Sequence, residues 1–173
     1  SPNMAQVPAI YSPYGKECRE LWKVSNPDTH VLIGTDASGL ELRCLAHYMD
    51  DKRFTREVLT GDVHTANQKA AGLQTRDQAK TFIYAFLYGA GSAKIGKVVG
   101  AGAKRGQSLI DNFLKNMPNL KRLRNNITEA SKSGIVKGLD GRQLHIRSPH
   151  ASLNTLLQGA GAIICKQWLV HID

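Results

Sequence analysis

Acid is scarce where base is concentrated. Residues 94–147 hold 12 Lys or Arg against 3 Asp or Glu, while the rest of the chain holds 11 of each and is neutral. The entire net charge of +9 therefore lies in one span. Such a face suits a phosphate backbone, through contacts that weaken with salt and ignore base sequence. An anionic membrane surface is the rival partner, but the span has no basic amphipathic helix with a Trp or Phe face. Cysteine is scarce too. Cys18, Cys44 and Cys165 are scattered and form no CxxC pair, which argues against a disulfide framework or a zinc site. No apolar run reaches the roughly 18 residues of a membrane span, and the first residues lack a signal-peptide layout. These absences predict a reducing, cytoplasmic setting. No repeat, low-complexity run or linker divides the 173 residues, enough for one real core.

The glycines supply no dinucleotide fingerprint. In GAGSAKIG (89–96) Lys94 stands where the third Gly of G-x-G-x-x-G belongs, and in GAGAKRG (100–106) Arg105 does. The first also follows an expected helix, whereas the fingerprint follows a strand. These glycines read as helix stops and tight turns. A dinucleotide-binding oxidoreductase is thus a weak alternative. A non-catalytic DNA-binding module is another, which explains the basic span and little else.

What is present begins with TRDQAKTFIYAFLYGAG at 75–91. Arg76, Lys80, Tyr84 and Tyr88 recur every four residues, so a helix gathers them into one slowly drifting stripe. Two cations can grip a polyphosphate while two rings stack on a base, and together they describe a nucleoside triphosphate. The more usual arrangement is an amphipathic helix with Tyr84 and Tyr88 in the core and solvated Arg76 and Lys80.

A second block, VLIGTDASGLELRCLAHYM at 31–49, is a short apolar run, then Asp36, then a turn and a helical pattern. An acid at the tip of a buried strand is where α/β proteins place a metal ligand. A helix N-cap is the commoner role for such an Asp. Glu41 fits equally as a first-turn carboxylate favoured by the helix dipole.

In this order and spacing the blocks resemble a known family. DASGLELR resembles motif A of the family A (Pol I-type) DNA polymerases, and RDQAKTFIYAFLYGAG resembles their motif B, the fingers helix. GDVHT at 61–65 falls between them, SPNMAQVPAIYSPYGKECREL looks like their early palm segment, and RSPHASLNTLLQGAGAIICKQW like a later palm helix that tracks primer-template. The flavour is that of the replicative polymerases of short-tailed double-stranded DNA phages, with a host-cytoplasmic setting.

The resemblance implies template-directed DNA synthesis on primer-template DNA from deoxynucleoside triphosphates, by nucleotidyl transfer with two Mg2+ ions. It implies Asp36 and the Ala37 carbonyl as metal ligands, Arg76 and Lys80 on the β- and γ-phosphates, and Lys80 as general acid for the leaving pyrophosphate. His64 would add a hydrogen bond to the β-phosphate; otherwise it reads as a capping or core histidine. Tyr84 would flank the incoming sugar and base, and Tyr88 would occupy the templating base's place in the open state. Glu41 would exclude a 2′-hydroxyl. Asn154 and Gln158, one turn apart, would reach the minor groove at the new pair; otherwise they are polar residues on a solvated face. Arg147 would contact backbone, and His150 stands where many of the family carry Arg. The family's second catalytic carboxylate lies in an HDE motif beyond the last helix, and His171-Ile172-Asp173 comes too soon after Gln158 to be it. The expectation is a fragment, inactive alone, of a longer polymerase that engages a processivity factor.

The expected fold is α+β and helix-dominated: a fingers subdomain (61–142) with part of a palm (1–60 and 143–173) of a right-hand polymerase. Residues 1–30 read as loop-rich, with Pro2, Pro8, Pro13 and Pro27 as breakers. Val31 to Thr35 reads as a strand. Helices are expected near 40–50, 52–60, 63–71, 76–88, 104–116 and 119–132, with Leu109, Phe113, Leu120, Leu123 and Ile127 inward. An Asp-Gly hairpin joins 135–137 to 143–147, and 151–171 forms a final amphipathic helix.

Overall fold

Helical periodicity dominates the sequence, and helices dominate the fold. A computed structural model describes residues 7–172; Pro2 and Asp173 fall outside them. Backbone packing divides the chain into residues 1–38 and residues 39–173.

In the first unit a short helix, α1 (Gly15–Glu20), interrupts the expected loop between Pro13 and Pro27. The expected strand at Val31 to Thr35 does not form. Val31, Leu32 and Ile33 are 77%, 68% and 82% exposed, so Asp36 does not end a buried strand. A strand needs a partner for its N–H and C=O groups, and among the described residues the one sheet pairs other segments. Apolar character alone did not supply that partner.

The second unit holds α2 (Leu40–Met49), α3 (Lys52–Thr60), α4 (Val63–Ala71), α5 (Arg76–Leu87), α6 (Ser92–Val98), α7 (Ala103–Asn116), α8 (Pro118–Ala130) and α9 (Ser152–Ile172). Side-chain caps set three of the starts. Asp51 accepts from the Phe54 amide, Asp62 from His64 and Thr65, and Thr75 from Gln78. Asp51 also accepts from the Asn119 side chain at 2.8 Å, fastening α8 to the start of α3. Pro118 opens α8, where its missing N–H costs nothing.

Strands β1 (Ile135–Lys137) and β2 (Gln143–His145) pair antiparallel, with Val136 opposite Leu144. The hairpin is the expected one, though β2 ends two residues short of Arg147. Leu109, Phe113, Leu120 and Ile127 are buried as expected, and Leu123 packs against them from the edge. Phe113 meets Phe82 and Phe86 edge-on at 5.1 and 5.5 Å between centroids, a geometry aromatic quadrupoles favour. Helix α9 buries Leu153, Leu156, Leu157 and Ala160 in its first half, while Leu169, Val170 and Ile172 are exposed.

Helix α6 was not expected, and the glycine reading needs correction there. Gly96 lies inside α6 and Gly106 inside α7, so neither stops a helix. A Cβ on Gly106 would collide with the Ser92 carbonyl, and one on Gly96 with the Gly102 carbonyl. The two backbones touch at this crossing, which only glycine permits. Gly106→Ala should therefore cost about 1–3 kcal/mol through overpacking. Gly91→Ala, at a site with open space and negative φ, should change stability by less than about 0.5 kcal/mol. Urea titrations of both variants test the pair, and equal stability would refute the close crossing.

Candidate functional site

The two faces of α5 are chemically opposite. Ala79, Phe82, Ile83, Phe86 and Leu87 are buried, while Arg76, Lys80 and Tyr88 are exposed and Tyr84 is half-buried. The alternative that sent both tyrosines into the core does not hold, since Tyr88 is 50% exposed. The cation–aromatic stripe thus faces outward. Lys80 makes no ion pair or hydrogen bond among the described residues.

Arg76 is engaged by a single atom. Its Nε donates to Asp62 Oδ2 at 2.8 Å, from the first turn of α5 to the cap of α4. Asp62 Oδ1 accepts the amides of His64 and Thr65, and Oδ2 also accepts the Thr65 hydroxyl. The Arg76 guanidinium and the Thr65 hydroxyl hold the Asp62 carboxyl well below the usual carboxylate range. Sequence reasoning selected His64 from GDVHT and missed Asp62. The cap was legible as an acid before a helical pattern; its bond to Arg76 spans two helices and was not.

His64 stands beside Tyr84, with ring centroids 6.3 Å apart. Its Nδ1 is buried without a hydrogen-bond partner. Burial, then Arg76, push the imidazole below its usual value; Asp62 pulls the other way and Lys80 adds to the lowering. A neutral imidazole keeps one N–H to donate.

At the far end of α5 a second group forms. The Tyr88 hydroxyl donates to Glu41 Oε1 at 3.3 Å and accepts from Gln158 Nε2 at 3.3 Å. Burial and the Glu41 carboxylate raise the Tyr88 phenol above its usual value, so it stays a donor. This bond brings α2, α5 and α9 to one place. Gly89, at φ 75, ends the turn just after Tyr88, where a Cβ would strike the His150 carbonyl.

Asn154 is half-buried on α9, one turn before Gln158. Arg147 and His150 are exposed beyond β2. Asp36 is exposed and Ala37 half-buried in the irregular 31–37 stretch of the first unit. The cap of α2 is Gly39, so the helix-cap alternative for Asp36 falls. Among the described residues no three His, Cys, Asp or Glu gather as a metal cage. Asp36 fits as one hard oxygen ligand.

Part of the basic span lines a groove of about 730 Å³ between α7 and α8. Lys115, Lys121 and Arg122 supply its charge, Asn125 and Asn126 its amides, and Asp111 one opposing carboxylate. No helix among the described residues is long and apolar enough to cross a membrane.

The outward cations and rings of α5, and separately the basic groove of α7 and α8, have the chemistry to meet phosphate and base. The sequence profile of DNA polymerase family A matches residues 1–173, and the chain belongs to that family. It is 51% identical to the DNA-directed DNA polymerases of Enterobacteria phage T3 and Escherichia phage T7, over 99% of this chain and 28% of each relative. It is 38% identical to that of Escherichia phage Phieco32, over 94% of this chain and 30% of the relative. The chain thus spans under a third of the length of these curated relatives. The fold is also that of the POL domain of Pol1 from M. smegmatis, solved in complex with DNA primer-template and dNTP. That likeness has a TM-score of 0.72 at 19% identity, over 94% of this chain and 32% of the other. The dinucleotide-binding alternative falls with this, and Gly89 and Gly91 do follow a helix.

One consequence is visible without ligand. His64 has a lowered folded value, so below its ordinary 6.5 the unfolded chain takes up the proton more readily. Stability should then fall as pH drops through the window just below 6.5. His64→Gln should flatten that slope in thermal melts between pH 7 and 5. An unchanged slope would show that His64 is not shielded.

Proposed function

We propose that this chain carries the nucleotide-binding fingers, and part of the palm, of a DNA-directed DNA polymerase. The observation that carries the reading is the outward stripe Arg76–Lys80–Tyr84–Tyr88 on a helix whose other face is core. Family membership and phage relatives named as DNA-directed DNA polymerases support it. On this reading residues 61–142 are fingers, and 1–60 with 143–173 belong to the palm. The protein works in the host cytoplasm.

Each role follows from chemistry. Arg76 and Lys80 bind the β- and γ-phosphates by charge-assisted hydrogen bonds, and neutral His64 donates to the β-phosphate. Lys80 Nζ gives a proton to the pyrophosphate oxygen as it leaves. Tyr84 packs on the incoming base and sugar. Tyr88, held between Glu41 and Gln158, marks the templating base's place. Glu41 bars a 2′-hydroxyl. Asn154 and Gln158 meet the minor groove of the new pair, and Arg147 the backbone. The basic span holds the DNA without reading it. Asp36 and the Ala37 carbonyl would hold Mg2+. Bound there, the metal would acidify the primer 3′-hydroxyl and neutralise the triphosphate. A processivity factor would act on the whole polymerase.

In the polymerase that carries this chain, Lys80→Ala should lower kcat by roughly 10²- to 10⁴-fold, the range for losing a general acid. Primer-extension kinetics measure this, and near-normal turnover would refute the assignment. Glu41→Ala should raise ribonucleotide incorporation about ten- to a thousandfold, as steric and polar rejection is removed. Unchanged sugar selection would move the gate elsewhere.

A further inference from the structure

The carboxylate of Asp62 is occupied on both oxygens by four donors from three residues. Oδ1 accepts the amides of His64 at 3.1 Å and Thr65 at 3.3 Å. Oδ2 accepts the Thr65 hydroxyl and Arg76 Nε, each at 2.8 Å. Oδ1 therefore caps α4, while Oδ2 anchors a cation from α5. Of the proposed phosphate ligands, Oδ2 holds the Arg76 side chain and Oδ1 the His64 backbone amide.

The anchoring atom matters. Arg76 is bound through Nε, and its two terminal nitrogens have no partner among the described residues. A guanidinium held this way keeps four N–H donors in a fixed plane, suited to a bidentate grip on phosphate. The pair is exposed, so it adds little to stability. Its effect is on order: Arg76 is fixed before the ligand arrives, which removes part of the cost of binding. The same carboxylate sets the first turn of α4 and with it His64.

We propose that Asp62 is a positioning residue for the triphosphate, holding Arg76 by Nε so that its terminal nitrogens and His64 converge on one polyphosphate. The inference rests on the assignment of Arg76 under Proposed function. Asp62 acts through Arg76 and does not itself touch the nucleotide.

Asp62→Asn separates its two duties. Asn caps a helix as well as Asp, so Oδ1 keeps the amides of α4. Its Nδ2 takes the place of Oδ2 and presents a donor to Arg76 where an acceptor stood. Kinetics of the polymerase carrying this chain are measured for wild type, Asp62→Asn, Arg76→Ala and the double variant, with a thermal melt of each. Asp62→Asn should raise the KM for dNTP about five- to tenfold, with kcat within about twofold and an unchanged melt. It should have no further effect on top of Arg76→Ala, because the residue it orients is gone. Inhibition by the matching nucleoside diphosphate should weaken less than triphosphate binding does.

An unchanged KM in Asp62→Asn, with Arg76→Ala impaired, would overturn the positioning role and leave the function standing. Additive effects in the double variant would overturn it too. If Arg76→Ala itself leaves dNTP binding intact, the phosphate assignment fails and the inference falls with it. Should Asp62→Asn fold poorly, Arg76→Lys carries the test from the other side. It keeps the charge, loses the anchored fork, and should show the same KM rise.

Discussion

The burial of one face of α5 is the constraint on which the site depends. Phe82 and Ile83 are fully buried, and Phe86 packs with Phe82 against the edge of Phe113. Each such ring contributes about 1.5–3 kcal/mol by leaving water. Rotating the helix by half a turn would expose all of them at once. The apolar face therefore sets the azimuth of Arg76, Lys80, Tyr84 and Tyr88, and Tyr84 packs against its edge. Arg124 adds a second restraint, its guanidinium lying 5.5 Å from the centre of the Phe86 ring.

Two polar groups then work at the two ends of that helix. At the start, Asp62 joins the cap of α4 to Arg76. At the end, Tyr88 joins Glu41 of α2 to Gln158 of α9. The stripe between them is a charged half and an aromatic half, one turn apart. A triphosphate laid along it would meet cations at its phosphates and rings at its sugar and base. The same logic separates this surface from the basic groove of α7 and α8. Cations alone hold a backbone, whereas cations followed by rings select a nucleotide.

Much of the helical fold was legible in the sequence, for a local reason. Capping residues such as Asp51, Asp62 and Thr75 and apolar periodicity act within a few residues, so α2 to α5, α7 and α8 could be read directly. The strand at Val31 to Thr35 was misread because a strand depends on a distant partner. Gly96 and Gly106 were misread because a close helix crossing looks, in sequence, like a turn signal. The stripe was legible from its four-residue spacing, but its outward direction was not, because the same spacing also allowed both tyrosines in the core. The Asp62–Arg76 bond and the Tyr88–Glu41–Gln158 link were not, since they join residues 14, 47 and 70 positions apart.

The central claim is that the outer face of α5 is where a deoxynucleoside triphosphate binds. Photoaffinity labelling with a base-azido dATP, followed by peptide mapping, tests it most directly. The account predicts label on the peptide carrying residues 76–88, centred on Tyr84 and Tyr88. Excess dNTP should remove that label, and deoxynucleoside monophosphate, which lacks the phosphates that Arg76 and Lys80 hold, should not. Competable label confined to other peptides would contradict the account.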